Sequence, residues 1–346
     1  MNNTTTVNEV NLMFSLEVTI TIGILSTLLA VLTTGGNLLV LLAFATDSTI
    51  RKFGDYFILN LAVADFIIGC LCIPPYIPYL LTGEWSIGRF FCKFWLVLDY
   101  VAPATSTLAV CVISIDRYLS VAYAISYKGR QSNRLRNMML VTPWVITFCV
   151  FCPAIVFWEM VSGVDDLPES VCVIPYHKNL GYLLFGGFVE FILPLTIIIT
   201  LNFLLFLNVR KRSRIGITGQ SRPSVFTVSD ARSGTESTQV GDTPNPGRQI
   251  HLPVPIGTSL GKPNKGNDKF SRDRRVAKSL FTLVFIFVIC WMPFEIMSMV
   301  LSVSPDAIHP TVFEVAFWIL WINSTVNPIL YPFLHTRIRK AFIKLI

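Results

Sequence analysis

Charge is in short supply in this sequence. Only 14% of its 346 residues are Asp, Glu, Lys or Arg, against about 25% in a typical soluble domain. With 53% hydrophobic residues and a mean hydropathy of +0.60, a soluble globular domain is excluded. The first fifteen residues lack a basic n-region, so no cleaved signal peptide is expected, and the first apolar segment should serve as its own signal. None of the four histidines belongs to a His-Glu-x-x-His zinc pair, the motif of many hydrolases, and no catalytic site is read. An internal inverted repeat and paired broken helices, the marks of a secondary transporter, are missing as well. The net charge of +7 comes from basic residues in a few short loops, so the expected electrostatic partner is anionic lipid and not nucleic acid.

Long apolar runs fill the space that charge leaves. Seven are long enough to cross a bilayer, at 16–46, 55–80, 90–123, 136–158, 178–211, 272–302 and 311–333, since about 20 apolar residues suffice. The fold class is therefore an all-α membrane protein, a seven-transmembrane helix bundle over 16–333. Arg51 and Lys52, then Lys128, Arg130, Arg134 and Arg136, then Arg210, Lys211, Arg212 and Arg214, mark the cytoplasmic loops. Glu84, Asp165, Asp166, Glu169 and Asp306 fall in the others. The tail 1–15 then lies outside, where Asn2 and Asn3 each open an Asn-x-Thr glycosylation sequon. Between 214 and 272 the composition turns to Ser, Thr, Gly, Pro and Lys/Arg, which predicts a disordered third cytoplasmic loop. The end, 334–346, alternates basic with apolar residues and predicts an amphipathic helix on the inner leaflet.

The rare charges inside the apolar runs draw attention, because a charged side chain in a membrane helix is costly unless it faces protein or water. Asp99 and Arg117 stand eighteen residues apart in the third run, about five helical turns or roughly 27 Å. They share one face near opposite ends of the membrane, the layout of a signal-transmitting rod. Asp65 falls near mid-membrane in the second run, with Asn37, Ser106, Asn323 and Asn327 at similar depth. That ring suits either a small monovalent cation or a structural hydrogen-bond cluster. Glu190 and Glu295 add carboxylates in the fifth and sixth runs. Pro74-Pro75, Pro103 and Pro293 should each disturb their helices. Of eight cysteines, Cys92 and Cys172 lie at the outer, oxidising side and are expected to pair; the rest read as packing residues.

These motifs together resemble the rhodopsin-like G-protein-coupled receptors. Gly36-Asn37, the LAVAD run ending at Asp65, Asp116-Arg117-Tyr118, Trp144, Pro194, Cys290-Trp291-Met292-Pro293 and Asn327-Pro328-Ile329-Leu330-Tyr331 carry the likeness, which covers all seven spans and the terminal helix. It implies a plasma-membrane receptor that acts on a heterotrimeric G protein. Asp99 matches the aspartate with which aminergic members bind a ligand ammonium, and the pocket implied comprises Tyr100, Trp291, Phe294, Trp318 and Trp321 besides. Glu190, four residues before Pro194, is similar to the histamine receptors of the inhibitory-G-protein branch, as are the runs WLVLDY and AFWILWINSTVNPILYP. Histamine is accordingly the favoured ligand, with acetylcholine or another biogenic amine as the alternative and an amine transporter as the remote one. Phe294-Glu295 departs from that branch, making Glu295 a third acidic candidate, and Pro103 departs too. The resemblance tips the Asp65, Ser106, Asn323 and Asn327 ring towards an allosteric sodium ion, the sole cofactor expected. For activation it implies a movement of Trp291 and Phe287, a swing about Pro293, release of Arg117 from Asp116 and Asp273, and a part for Asn327, Pro328 and Tyr331.

Overall fold

The computed structural model describes residues 15–163, 167–219, 265–304, 306–334 and 336–345; the side chains of 212–219, 265–280, 334 and 336 are outside that description. Asn2 and Asn3 fall outside it, as does the side chain of Asp273. Among the described residues seven helices are long and apolar enough to cross a membrane: α1 (Leu16–Thr46), α2 (Asp55–Thr82), α3 (Arg89–Ala122), α4 (Asn133–Ser162), α5 (Leu180–Lys211), α6 (Phe281–Val303) and α7 (Pro310–Phe333). A shorter α8 (Thr336–Leu345) follows. The linker expected over 214–272 is helical at both ends, because α5 continues to Gly219 and helix precedes α6 from Lys265. Extending an existing helix avoids the nucleation cost that an isolated segment would meet, so composition alone makes the linker too long at both ends.

Large apolar side chains such as Ile24 and Val31 on α1, Phe203 on α5 and Phe285 on α6 point outward, as a lipid-facing surface requires. Helix contacts add small and polar groups to a core of buried residues such as Phe57, Leu61 and Phe151. Thr105 on α3 meets Thr147 on α4 at 2.7 Å, and the Asn202 amide of α5 donates to Ser114 Oγ of α3 at 3.2 Å. Trp144 packs between helices as expected and also donates its indole N–H to Asn60 Oδ1 at 3.0 Å, tying α4 to α2. Gly36 has a specific reason to be glycine: a Cβ there would stand 3.0 Å from Pro328 Cγ, so the missing side chain lets α1 close on α7.

α3 is the central helix. It packs against α2, α4, α5 and α6, and its buried residues run from Cys92 to Val121. It continues through Pro103 without a break. The disturbance expected at Pro74-Pro75 falls earlier, in a π-turn at Ile68–Cys72. The Ile73 amide, ahead of the prolines, closes this wider turn on the Ile68 carbonyl, and Trp95 Nε1 donates to the Cys72 carbonyl at 2.9 Å. A second π-turn, Phe188–Ile192, interrupts α5 at Glu190.

Two fastenings close the ends. Cys92 and Cys172 form a disulfide with a Cα–Cα distance of 5.6 Å, holding the loop between α4 and α5 to the first turn of α3. At the other end α8 buries Ile338, Ala341 and Phe342 against the bundle but leaves Ile343 70% exposed. Its apolar face is therefore split between protein and outside, where the sequence pattern implied a single membrane-facing stripe. Arg337 pairs with Asp55 and Lys344 with Asp47, each at 3.3 Å.

Candidate functional site

Under the disulfide-bearing loop, a cavity of about 410 Å³ opens between α2, α3, α5, α6 and α7, inside the roughly 300–1,000 Å³ range of small-molecule pockets. Of the eight pocket residues expected from the sequence, Asp99, Tyr100, Glu190, Phe294, Glu295 and Trp321 line it. Each arrives by a local device. Asp99 sits seven residues after Cys92 on a helix held by the disulfide and by the Trp95 bond. The π-turn carries Glu190 inward, a common role of such turns at working sites. Pro293 lies two residues before Glu295 in α6.

Trp291 and Trp318 do not line the cavity, which corrects the sequence expectation. Trp291 is 1% exposed, with its ring 5.4 Å from Phe287, which in turn lies 6.4 Å from Phe191. Trp318 stands one layer back, its ring 5.0 Å from Trp321 and 6.1 Å from Tyr76. Phe317 supplies the inner ring instead, 4.4 Å from Trp321 and 5.5 Å from Phe294.

The electrostatics of the cavity are one-sided. Four carboxylates line it, Asp99, Glu190, Glu295 and Glu314, with no lysine or arginine and a single imidazole, His177, among the lining residues. Asp99 is 8% exposed, and its Oδ1 is buried without a hydrogen-bond partner; the Trp321 indole leans towards it without meeting hydrogen-bond geometry. Glu314 differs, since the Tyr76 hydroxyl donates to its carboxylate at 2.8 Å. The sequence reading passed over Glu314, although an acid one turn into an apolar run is the same signal that marked Glu190. Its partner Tyr76, 238 residues away in sequence, offered no signal.

At mid-bundle Asp65 is fully buried and accepts from Ser106 Oγ at 2.9 Å and from Asn327 Nδ2 at 2.8 Å. Asn37 turns instead to the carbonyls of Thr33 and Ser324, and among the described residues Asn323 gives Asp65 no hydrogen bond. One carboxylate with a neutral hydroxyl suits a hard monovalent cation, whereas Asn327 as placed offers a donor and not a ligand. Among the described residues no three His, Cys, Asp or Glu gather closely enough for a metal ion.

At the end opposite the disulfide, Asp116 accepts from Tyr127 at 3.0 Å and stands 3.8 Å from Arg117. Tyr118 packs edge-on to Tyr123 at 6.2 Å. Tyr331 is buried with a hydroxyl lacking a partner. Two short catalytic look-alikes also need accounting. Gly257-Thr258-Ser259-Leu260-Gly261 fits Gly-x-Ser-x-Gly but lies outside the described residues, and Cys149-x-x-Cys152 lies on α4 with Cys149 exposed and both thiols free.

Comparison with known proteins agrees with this architecture. The family described as 7 transmembrane receptor (rhodopsin family) matches residues 36–331. The histamine H4 receptor of Homo sapiens is 33% identical, across 96% of this chain and 93% of its own length, and that of Mus musculus is 30% identical across 90% and 88%. The muscarinic acetylcholine receptor M1 of Mus musculus is 26% identical across 93% and 87%. With seven crossing helices, a disulfide from α3 to the loop before α5, and a family match over most of its length, the chain belongs to the rhodopsin family of seven-transmembrane receptors.

Proposed function

We propose that this receptor binds a biogenic amine, histamine in preference to others, in the cavity between α3, α5, α6 and α7, and activates a heterotrimeric G protein of the inhibitory class. It is a multi-pass protein of the plasma membrane, and the proposed orientation puts the disulfide end outside and α8 in the cytoplasm. The observation that carries the reading is the pairing of Asp99 on α3 with Glu190 on α5 in one aromatic-walled cavity. An ammonium 4 Å from a carboxylate at an effective dielectric of about 20 gains roughly 4 kcal/mol. Faces of Tyr100, Phe294 and Trp321 each add about 0.5–2 kcal/mol of cation–π attraction where they meet it. A ring N–H at the ligand's far end then reaches Glu190, which a quaternary ammonium ester cannot match. The likeness to histamine H4 receptors supports this choice. The likeness to a muscarinic acetylcholine receptor favours acetylcholine as the second reading.

Asp65 with Ser106 would hold an allosteric sodium ion, with Asn323 and Asn327 completing its shell after a turn of their amides. Activation would pass from the cavity floor through Trp291 and Phe287, bend α6 at Pro293 and free Arg117 from Asp116 and Asp273. Asn327, Pro328 and Tyr331 would re-pack as α7 follows. The test is a panel of amines scored by guanine-nucleotide exchange on added G proteins, run on the wild type and Glu190→Gln. Histamine should lead the panel and lose far more than acetylcholine in the variant. Equal losses would overturn the histamine assignment, and silence across the panel would overturn the amine reading.

A further inference from the structure

The α5–α6 wall holds more negative charge than a neutral ring nitrogen can answer. Glu295 is 4% exposed, and its Oε2 lies 3.5 Å from where a Cβ on Gly187 would be. Its carboxylate thus rests against α5, at ordinary contact distance from where a side chain on Gly187 would begin. Glu190 follows Gly187 by three residues on the same helix, and Glu295 is the charge that acts most strongly on it, ahead of Asp99. Among the described residues no hydroxyl, amide or cation donates to either acid. The neighbouring α5 positions, Gly186 and Gly187, have no side-chain donor to offer. Glu314 is not in the same condition, because Tyr76 already serves it.

Two adjacent carboxylates in an apolar wall repel each other, and a buried charge left unanswered is strongly destabilising. A neutral imidazole offers one N–H and serves one of them. A guanidinium presents five donors in a rigid fork and a full charge, which is enough for both. Resting on the amine reading of Asp99 given above, we infer that Glu190 and Glu295 form a two-carboxylate subsite for the far end of the ligand. The ligand suited to this pocket carries two full positive charges: an ammonium at Asp99 and a multi-donor cation, such as a guanidinium, an amidinium or a protonated imidazole, at the α5–α6 wall. Glu295 is then a specificity-determining residue, selecting dications over monocations of equal size.

The experiment measures Kd by titration calorimetry on the purified full-length receptor. The probes are 2-phenylethylamine, with one charge, and ω-guanidinoalkylamines of two to five methylenes, with two. The best guanidino probe should bind at least about tenfold more tightly than 2-phenylethylamine, and Glu295→Gln should remove about tenfold or more of its affinity while changing the monocation less than about threefold. Gly187→Ser is the second variant, for the case in which Glu295→Gln fails to fold. It sets a hydroxyl beside Glu295 Oε2 without deleting a charge and should narrow the dication preference by about threefold. Equal Kd values for one and two charges in the wild type would overturn the inference. So would Glu295→Gln, or Gly187→Ser where that variant stands in, shifting both probe classes alike. Asp99→Asn keeps the two ideas apart: loss of both probes upholds the amine anchor whatever Glu295 does, and retention of both refutes the anchor itself.

Discussion

Asp99→Asn gives opposite results for binding and for stability, and that contrast makes it the sharpest perturbation. In the folded receptor Asp99 is 8% exposed and its Oδ1 has no donor. Its attraction for an ammonium at 4 Å is roughly 4 kcal/mol at an effective dielectric of about 20. Asparagine has nearly the same shape and keeps a carbonyl acceptor, retaining about 1 kcal/mol of hydrogen bonding. The net loss of about 3 kcal/mol corresponds to roughly a hundredfold weaker Kd. The ligand-free protein should respond differently, because a buried anion without a partner is a liability and a neutral amide removes it. Amine affinity measured by titration should therefore fall about a hundredfold, while the Tm of the unliganded receptor in the same detergent stays level or rises. A Tm that drops by several degrees, with ligand affinity falling only in proportion, would mean Asp99 is a structural residue with a partner of its own, and the site would have to be rebuilt without it.

Other perturbations follow the same logic. Asp65→Asn should abolish any difference in agonist affinity between sodium chloride and choline chloride at equal ionic strength; a sodium effect that survives would remove Asp65 from the cation site. Tyr76→Phe takes the donor from Glu314 and should lower Tm by an amount corresponding to about 1–3 kcal/mol, most of it recovered when Glu314→Gln is added, as a double-mutant cycle would reveal. Cys92→Ser, Cys172→Ser and the double variant should share one reduced Tm, since each opens the same link across 80 residues; chain-entropy reasoning sets the upper bound near 4–5 kcal/mol. The Thr49 hydroxyl and amide, with Lys344 behind them, hold the Asp47 carboxyl below its ordinary value of 3.8. Its contact with Lys344 is therefore fully present above that value and loosens only as pH falls through the lower one, so hydrogen exchange in the last turn of α8, around Lys344 and away from the Arg337–Asp55 pair, should match at pH 5 and pH 7 once corrected for intrinsic rate.

The seven spans were legible because lipid imposes one demand, long apolar runs, and residue composition reports it directly. The central place of α3 was legible for a similar reason, since Asp99 and Arg117 are tolerable in one apolar helix only if protein surrounds it. The placement of Trp291 and Trp318 was not, because whether a ring reaches a cavity depends on helix rotation and on which neighbour stands in front; Trp318 has Trp321, which lines the cavity, beside it, and Trp291 is packed on Phe287 in the buried layer. The irregularity in α2 was expected at its prolines and came earlier, as a π-turn at Ile68–Cys72, where the Trp95 indole, from another helix, donates to the Cys72 carbonyl. Asn37 was grouped with Asp65 by depth, yet it faces the α7 backbone at Ser324. For α2 and for Asn37 the deciding contact joins residues far apart in sequence, which a one-dimensional pattern does not carry.

The acids of this bundle divide by whether the chain supplies their counterpart. Glu159 is met by Lys93 at 2.6 Å and Arg89 at 3.3 Å; Asp55 is met by Arg337, Asp116 by Tyr127 and Arg117, Asp65 by Ser106 and Asn327, and Glu314 by Tyr76. Asp99, Glu190 and Glu295 are the buried or half-buried acids left without a donor among the described residues, and all three face one cavity. A folded chain has many ways to satisfy a carboxylate, as the other acids demonstrate, and leaving three of them unsatisfied costs stability. That cost is reconciled only by protons or by a cation that comes from outside the chain. A proton neutralises each acid separately and sets no requirement on their common direction, whereas a ligand with cationic groups at both ends requires them to converge. Their convergence, more than the acidity of any one of them, is what ties this cavity to a small cationic messenger.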